Sequence, residues 1–94
     1  MPNKKRPPYV PPPNIPAPTG LTATKTSSGV RLEWNPVPNA TSYWIYRNGK
    51  SYTIAFGVNE YLDQWVLSGA YTYEVAAVVN SVLGGKSSAV TITV

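Results

Sequence analysis

Residues 30–34, Val-Arg-Leu-Glu-Trp, decide the fold of this chain. Their apolar members alternate with charged ones, and this period of two is typical of a β-strand with one buried face. Residues 35–38, Asn-Pro-Val-Pro, end the strand because proline has no N–H to donate to a strand ladder. Trp34 is the largest side chain on the buried side, so we expect two sheets to pack against it.

The region after Thr19 consists of short alternating segments separated by turn signals, and no segment has a helical period. The dipeptide Asn48-Gly49 is the strongest hairpin signal among them, whereas residues 80–88 are predicted to form a long hairpin loop. We predict seven strands, at residues 20–24, 30–34, 42–47, 51–56, 60–66, 70–79 and 89–94. This pattern predicts an all-β sandwich.

The composition argues against catalysis and against metal or cofactor binding. The 94-residue chain has no cysteine, which removes disulfides and thiolate metal sites, and no histidine, which removes the usual general base. Its only acidic residues are Glu33, Glu60, Asp63 and Glu74. Because no nucleophile–base pair can be assembled, we predict a protein that is not an enzyme and has no cofactor. No apolar run is long enough for membrane insertion.

Residues 1–18 contain eight of the ten prolines, so we predict an extended, polyproline-like arm before a folded domain at residues 19–94. We interpret the basic arm as an anchor on a partner protein, with a semi-rigid spacer as the alternative. Specific nucleic-acid binding is not expected, because the three clustered charges have no interleaved aromatic residues. The predicted contact residues are Lys4, Lys5, Arg6, Pro8, Tyr9, Pro11, Pro12, Pro13 and Ile15.

Six short motifs in sequence order resemble a fibronectin type III domain over residues 17–94. They are Pro18-x-Gly20-Leu21-x-Ala23, Leu32-x-Trp34-x-Pro36, Tyr43-x-Ile45-Tyr46-Arg47-Asn48-Gly49, Tyr61-x-Asp63, Gly69-x-Tyr71-Thr72-Tyr73-x-Val75-x-Ala77-Val78 and Ser87-Ser88-x-Val90. The resemblance implies a seven-stranded immunoglobulin-like sandwich in which Asp63 is structural and Tyr71 forms a tyrosine corner. The implied core residues are Leu32, Trp34, Tyr43, Ile45, Tyr71, Tyr73 and Val75.

The corner before Tyr71 departs from the family pattern. Ser68-Gly69 stands where Pro-Gly is usual, and the gap from Gly69 to Tyr71 is one residue shorter than usual. Either Val66 or Leu67 is therefore expected to fill the apolar position of the corner. We expect the nearby Trp65 to pack in the core or at its rim rather than to bind a ligand.

Trp44 and Tyr46 are the surface residues that the sequence singles out for partner binding. If Tyr43 and Ile45 point inward, these two aromatic side chains point out of the same sheet and form part of an exposed apolar patch, which usually marks a contact site. The alternative is that both aromatics only cover the sheet.

Three non-catalytic functions fit these features. The favoured hypothesis is a bacteriophage virion protein, assembled in the host cytoplasm, whose arm binds capsid or tail subunits and whose sandwich faces outward, with adhesion to host-surface glycans left open. The wording of the third strand is similar to bacterial and phage family members. The opening residues read as the start of a reading frame without a secretory signal, and cysteine is absent.

The alternative is an extracellular spacer or accessory module of a secreted bacterial polysaccharide-degrading enzyme. In that case the proline-rich segment is an interdomain linker. The third hypothesis is a carbohydrate-binding module in which Trp44, Tyr46 or Tyr52 provides a stacking platform.

Overall fold

The computed structural model describes residues 14–94, which form two antiparallel β-sheets packed face to face. The described part contains no helix, and therefore no helix that could cross a membrane. Its strands are β1 (Thr22–Thr26), β2 (Gly29–Glu33), β3 (Ser42–Arg47), β4 (Lys50–Phe56), β5 (Glu60–Gln64), β6 (Ala70–Val79), β7 (Val82–Lys86) and β8 (Val90–Thr93). One sheet has the order β1-β2-β5, and the other has the order β4-β3-β6-β7 with β8 also paired to β6.

The strand β7 lies in the segment that we predicted to be a loop, so the prediction of seven strands was wrong. Asn80 and Ser81 adopt φ values of 50° and 65°, and this left-handed pair turns the chain at once into a two-residue hairpin. The sequence pattern did not predict β7 because two of its residues are glycines, which are uncommon within strands. Gly84 is required by close packing, since a Cβ atom there would lie 2.6 Å from Cγ2 of Ile15.

The core lies between the sheets and is organised around Trp34, which is 3% exposed. Its ring meets the ring of Tyr43 edge to face at a centroid distance of 5.2 Å, and the Tyr43 hydroxyl accepts a hydrogen bond from the Val37 N–H at 2.8 Å. The alternation of β2, β3 and β6 places the other buried residues on the inner sides of both sheets. They include Val30, Leu32, Ile45, Tyr73, Val75 and Ala77.

The structure of the corner before β6 shows which residue fills its apolar position. Tyr71 is partly buried and donates a hydrogen bond from its hydroxyl to the Leu67 carbonyl at 3.0 Å, the bond that defines a tyrosine corner. Val66 packs against the core, whereas Leu67 is 79% exposed.

Trp65 is 80% exposed, so the expectation that it packs in the core or at its rim was wrong. The strand β5 ends at Gln64, and Trp65 has a φ of 59°. A residue in the left-handed region interrupts the in–out alternation of the strand. Val66 therefore points inward in place of Trp65.

The packed region begins before the predicted domain start. Ile15, which we predicted to bind a partner, instead packs against the core of its own domain, and Pro18 is buried. The Asn35 N–H donates to the Thr19 carbonyl at 2.9 Å, which ties this segment to the end of β2. The other predicted anchoring residues, Lys4, Lys5, Arg6, Pro8, Tyr9, Pro11, Pro12 and Pro13, lie outside the described residues, and their role stays a prediction.

Candidate interaction surface

The outer surface of the five-stranded sheet carries a group of apolar side chains that no other part of the domain covers completely. Residues paired across strands project from the same side of a sheet. Trp44 pairs with Ile54, Ser42 pairs with Phe56 and Val78, and Val78 pairs with Leu83, so these side chains share the outer side. We define the apolar face as Trp44, Ile54, Phe56, Val78 and Leu83.

The apolar face is exposed at both of its sides and half-buried in its middle. Phe56 is 74% exposed and Ile54 is 38% exposed, while Leu83 on β7 is 40% exposed. Trp44 and Val78 lie between these strands and are half-buried. The sequence prediction missed the contributions of β4 and β7. The alternation of Ile54 and Phe56 was visible in the sequence, but the register against Trp44 was needed to place them.

Tyr46 lies on the same outer side as Trp44, with their ring centroids 6.3 Å apart, but it is 8% exposed. Lys86 on β7 covers it, with Nζ 4.2 Å from the centre of the Tyr46 ring. The same ammonium group lies 3.9 Å from a carboxylate oxygen of Glu74. Of the two predicted contact residues, Trp44 is available to a partner, whereas Tyr46 mainly covers the sheet.

A shallow groove of about 230 Å³ runs beside Trp44 along the edge strand. Ile54 forms its apolar wall, Ser51 brings a hydroxyl group from the outer side of β4, and Tyr52 and Thr53 complete the lining. No charged side chain lines the groove. Its chemistry suits an extended, uncharged ligand with both apolar groups and hydrogen-bond acceptors.

Tyr52 occupies a β-bulge and is directed away from the apolar face. On β3 the neighbours Ile45 and Tyr46 pair with Thr53 and Ser51, which leaves Tyr52 between them without a cross-strand partner. Its hydroxyl donates to Oδ1 of Asp63 at 2.6 Å, and the Arg47 guanidinium lies 3.8 Å from its ring centre. Tyr52 is thus 40% exposed, but its hydroxyl and its ring also make contacts within the domain.

Asp63 is fully buried and joins the two sheets. It lies on β5, and three residues from the other sheet donate to its carboxylate: Arg47 on β3 at 3.0 Å, Tyr52 on β4 and Tyr73 on β6, both at 2.6 Å. We call these four residues the Asp63 network. Its donors therefore satisfy the buried carboxylate and link the two sheets.

The Asp63 network changes the ionisation of both tyrosines. Burial, followed by the hydrogen bond to Asp63, raises the pKa of Tyr73 far above its usual value. The hydrogen bond to Asp63 is the main reason that the pKa of Tyr52 is also raised, with burial second. Both hydroxyls therefore stay protonated as donors to the carboxylate.

The outer surface of the three-stranded sheet is charged. Arg31 on β2 forms ion pairs with Glu33 on the same strand, at 3.4 Å, and with Glu60 on β5. We call these three residues the charged face. Across residues 14–94, no group of three or more acidic, histidine or cysteine side chains is placed to hold a metal ion.

Comparison with known proteins gives one curated relative, and no family model matches the chain. A poly(3-hydroxybutyrate) depolymerase from Ralstonia pickettii is 47% identical over 64 residues, which are 66% of this chain and 13% of the depolymerase. The chain thus spans about an eighth of that relative.

Solved structures match the sandwich over most of its length. An Fn3-like protein from Clostridium thermocellum is 32% identical with a TM-score of 0.76, covering 84% of this chain and 92% of that protein. The central fibronectin-III array of RIM-binding protein is 22% identical with a TM-score of 0.67, covering 89% of this chain and 34% of that chain. The structure "FN3tt mut" is 23% identical with a TM-score of 0.62, covering 80% and 88%.

Proposed function

Because the chain belongs to the fibronectin type III-like family, we propose that it is a non-catalytic accessory module of a secreted bacterial enzyme that degrades a solid polymer. The observation that carries the proposal is the 47% identity to one domain-sized segment of a much longer depolymerase. This relative favours the enzyme-module alternative over the virion hypothesis, for which the reported relatives offer no support. It also points to a polyester rather than a polysaccharide as the polymer.

The positions of Ile15 and Val94 in the sandwich suit a spacer between other domains. Ile15 lies beside Gly84, close to the Val79 end of β6. Val94 exchanges two backbone hydrogen bonds with Gly69, at 2.8 and 3.1 Å, next to the Ala70 end of the same strand. Because β6 has ten residues, these two sites lie at opposite poles of the sandwich about 30 Å apart.

The stiffness of the sandwich supports the same role. The Asp63 network and the Trp34 core hold the two sheets together, so a domain attached at each pole is kept at a defined separation. A flexible linker of similar length would let the two attached domains collapse onto each other.

A domain exchange tests the proposal. We would replace the matched 64-residue segment of the Ralstonia pickettii depolymerase with the corresponding segment of this chain and compare hydrolysis of solid poly(3-hydroxybutyrate) and of a soluble ester. We expect the chimera to retain both activities within about threefold, a free-energy change below 1 kcal/mol. A matched chimera carrying a flexible Gly/Ser linker should lose activity on the solid polymer only.

Two results would contradict the spacer role. One is a chimera that is folded and cleaves the soluble ester normally but no longer attacks the solid polymer. The other is full activity of the Gly/Ser-linked control, because a rigid spacer would then be unnecessary.

A further inference from the structure

We infer that the apolar face is the surface by which this module adsorbs to the solid substrate, and that the substrate it fits is an uncharged aliphatic polyester. The inference rests on the proposed function and adds to it the surface that contacts the polymer, which the spacer role leaves unused.

The shape of the apolar face suits a flat solid rather than a small ligand. Its side chains extend from the edge strand β4 across β3 and β6 to β7, a width of about 14 Å at the usual strand spacing. Phe56 at one side and Leu83 at the other are exposed, while Trp44 and Val78 fill the middle. The groove beside Trp44 is open and shallow, so it suits a single extended chain on a surface.

The charges around the apolar face select an uncharged partner. None of its five side chains ionises, and Lys86 and Glu74, on the same outer side, form an ion pair at 3.9 Å. Arg31, Glu33 and Glu60 lie on the opposite surface, on the outer side of the other sheet. The domain can therefore place an apolar side against a neutral solid while its charged side stays in water.

The hydrogen-bonding groups of the groove favour a polyester over a polysaccharide. An ester carbonyl only accepts hydrogen bonds, and the Ser51 hydroxyl in the groove can donate one. A polysaccharide carries many hydroxyls whose donors would need acceptors, and burying them unpaired is costly. The apolar face, with five apolar side chains, offers few such acceptors.

Adsorption of the full chain to poly(3-hydroxybutyrate) particles tests the inference. The variant Ile54→Ser/Phe56→Ser removes two exposed members of the apolar face. The matched control Trp65→Ser/Leu67→Ser removes two side chains that are 80% and 79% exposed but lie at the corner before β6. We expect the first variant to lower the partition coefficient at least about tenfold and the control to lower it less than about twofold.

Ionic strength and a second solid make the test specific. Adsorption should persist to about 1 M NaCl, because apolar contacts are not screened. The full chain should bind the polyester at least about tenfold more tightly than microcrystalline cellulose. Matching thermal unfolding transitions for the variants and the unaltered chain would establish that all of them are folded.

Several outcomes would overturn the inference. Equal losses of adsorption in the two double variants would mean general hydrophobic adhesion. Loss of adsorption in high salt would assign it to charges such as Lys4, Lys5 and Arg6. Tighter binding to cellulose than to the polyester would assign the apolar face to polysaccharide. No adsorption of the unaltered chain would also overturn it. The domain exchange would then still decide the spacer role, because the two experiments have separate readouts.

Discussion

The two outer faces of the sandwich are built from the same kind of alternating strand but have opposite chemistry. The charged face of the three-stranded sheet pairs Arg31 with Glu33 and Glu60, whereas the apolar face of the five-stranded sheet exposes Phe56, Ile54 and Leu83. The fold requires alternation only to fill the core, and it places no demand on outward residues. Exposed apolar residues at these outward positions therefore indicate a surface that contacts a binding partner.

The largest effect on stability should come from removing the contact that joins the two sheets carrying these faces. Asp63→Ala removes the shared acceptor of Arg47, Tyr52 and Tyr73 and leaves a partly buried guanidinium unpaired. We expect a loss of about 3–5 kcal/mol in the free energy of unfolding, measured by urea denaturation. Asp63→Asn keeps the shape and should lose less. A loss below about 1 kcal/mol for the alanine variant would show that the core alone joins the sheets.

Alkaline pH should destabilise the domain because it favours ionisation of Tyr73, a member of the Asp63 network. In the unfolded chain tyrosine loses its proton near pH 10, whereas the raised pKa of Tyr73 keeps it protonated in the folded domain. Above pH 10 the unfolded state binds fewer protons, so the free energy of unfolding falls by up to about 1.4 kcal/mol per pH unit for this group. Well below pH 10 the contribution of this group is fully present and does not change with pH.

Urea denaturation from pH 9 to pH 12 measures this slope. The Tyr73→Phe variant should show a shallower decrease, with the remainder including the ionisation of Tyr52, whose pKa is also raised. The same slope in both proteins would contradict the role assigned to Tyr73.

A smaller effect on stability is expected at the corner before β6, where Val66 points inward and Leu67 points outward. Tyr71→Phe removes the hydrogen bond from the tyrosine hydroxyl to the Leu67 carbonyl while keeping the ring. We expect a loss of about 1 kcal/mol, the usual net value of one hydrogen bond, measured as a shift of the urea midpoint. An unchanged midpoint would mean that the packing of Val66 holds the corner without this bond.

The smallest effect should come from the charged face. Arg31→Ala removes both of its ion pairs, but the Arg31 side chain is 45% exposed and water screens the charges. We expect a change below about 0.5 kcal/mol in the free energy of unfolding. Measuring Arg31→Ala beside Asp63→Ala compares exposed and buried arginine–carboxylate pairs in one protein. Losses of similar size would contradict the distinction between them.

The core was predictable from the sequence because it depends on local alternation. Trp34 and Ile45 could be assigned to the inside from their own strands alone. The left-handed backbone at Trp65 turns outward a residue that we had expected in the core or at its rim, and Lys86 covers Tyr46 from a strand forty residues along the chain. Such contacts depend on register and topology, which local periodicity does not contain.

The candidate surface was predictable only in part for the same reason. Trp44 was placed correctly on the outer side, but Phe56 and Leu83 join it through pairings made across four strands. The partners of Asp63 are likewise distant in sequence, at Arg47 and Tyr73.

The β-bulge at Tyr52 has a consequence for solubility. The strand β4 is the edge of its sheet, it is rich in β-forming residues, and an edge of this kind is a template for aggregation with another chain. The bulge breaks the regular spacing of its backbone groups, and Lys50 places a charge at its start. An incoming strand therefore finds no continuous ladder, so edge-to-edge aggregation is disfavoured even though apolar side chains are exposed beside this edge.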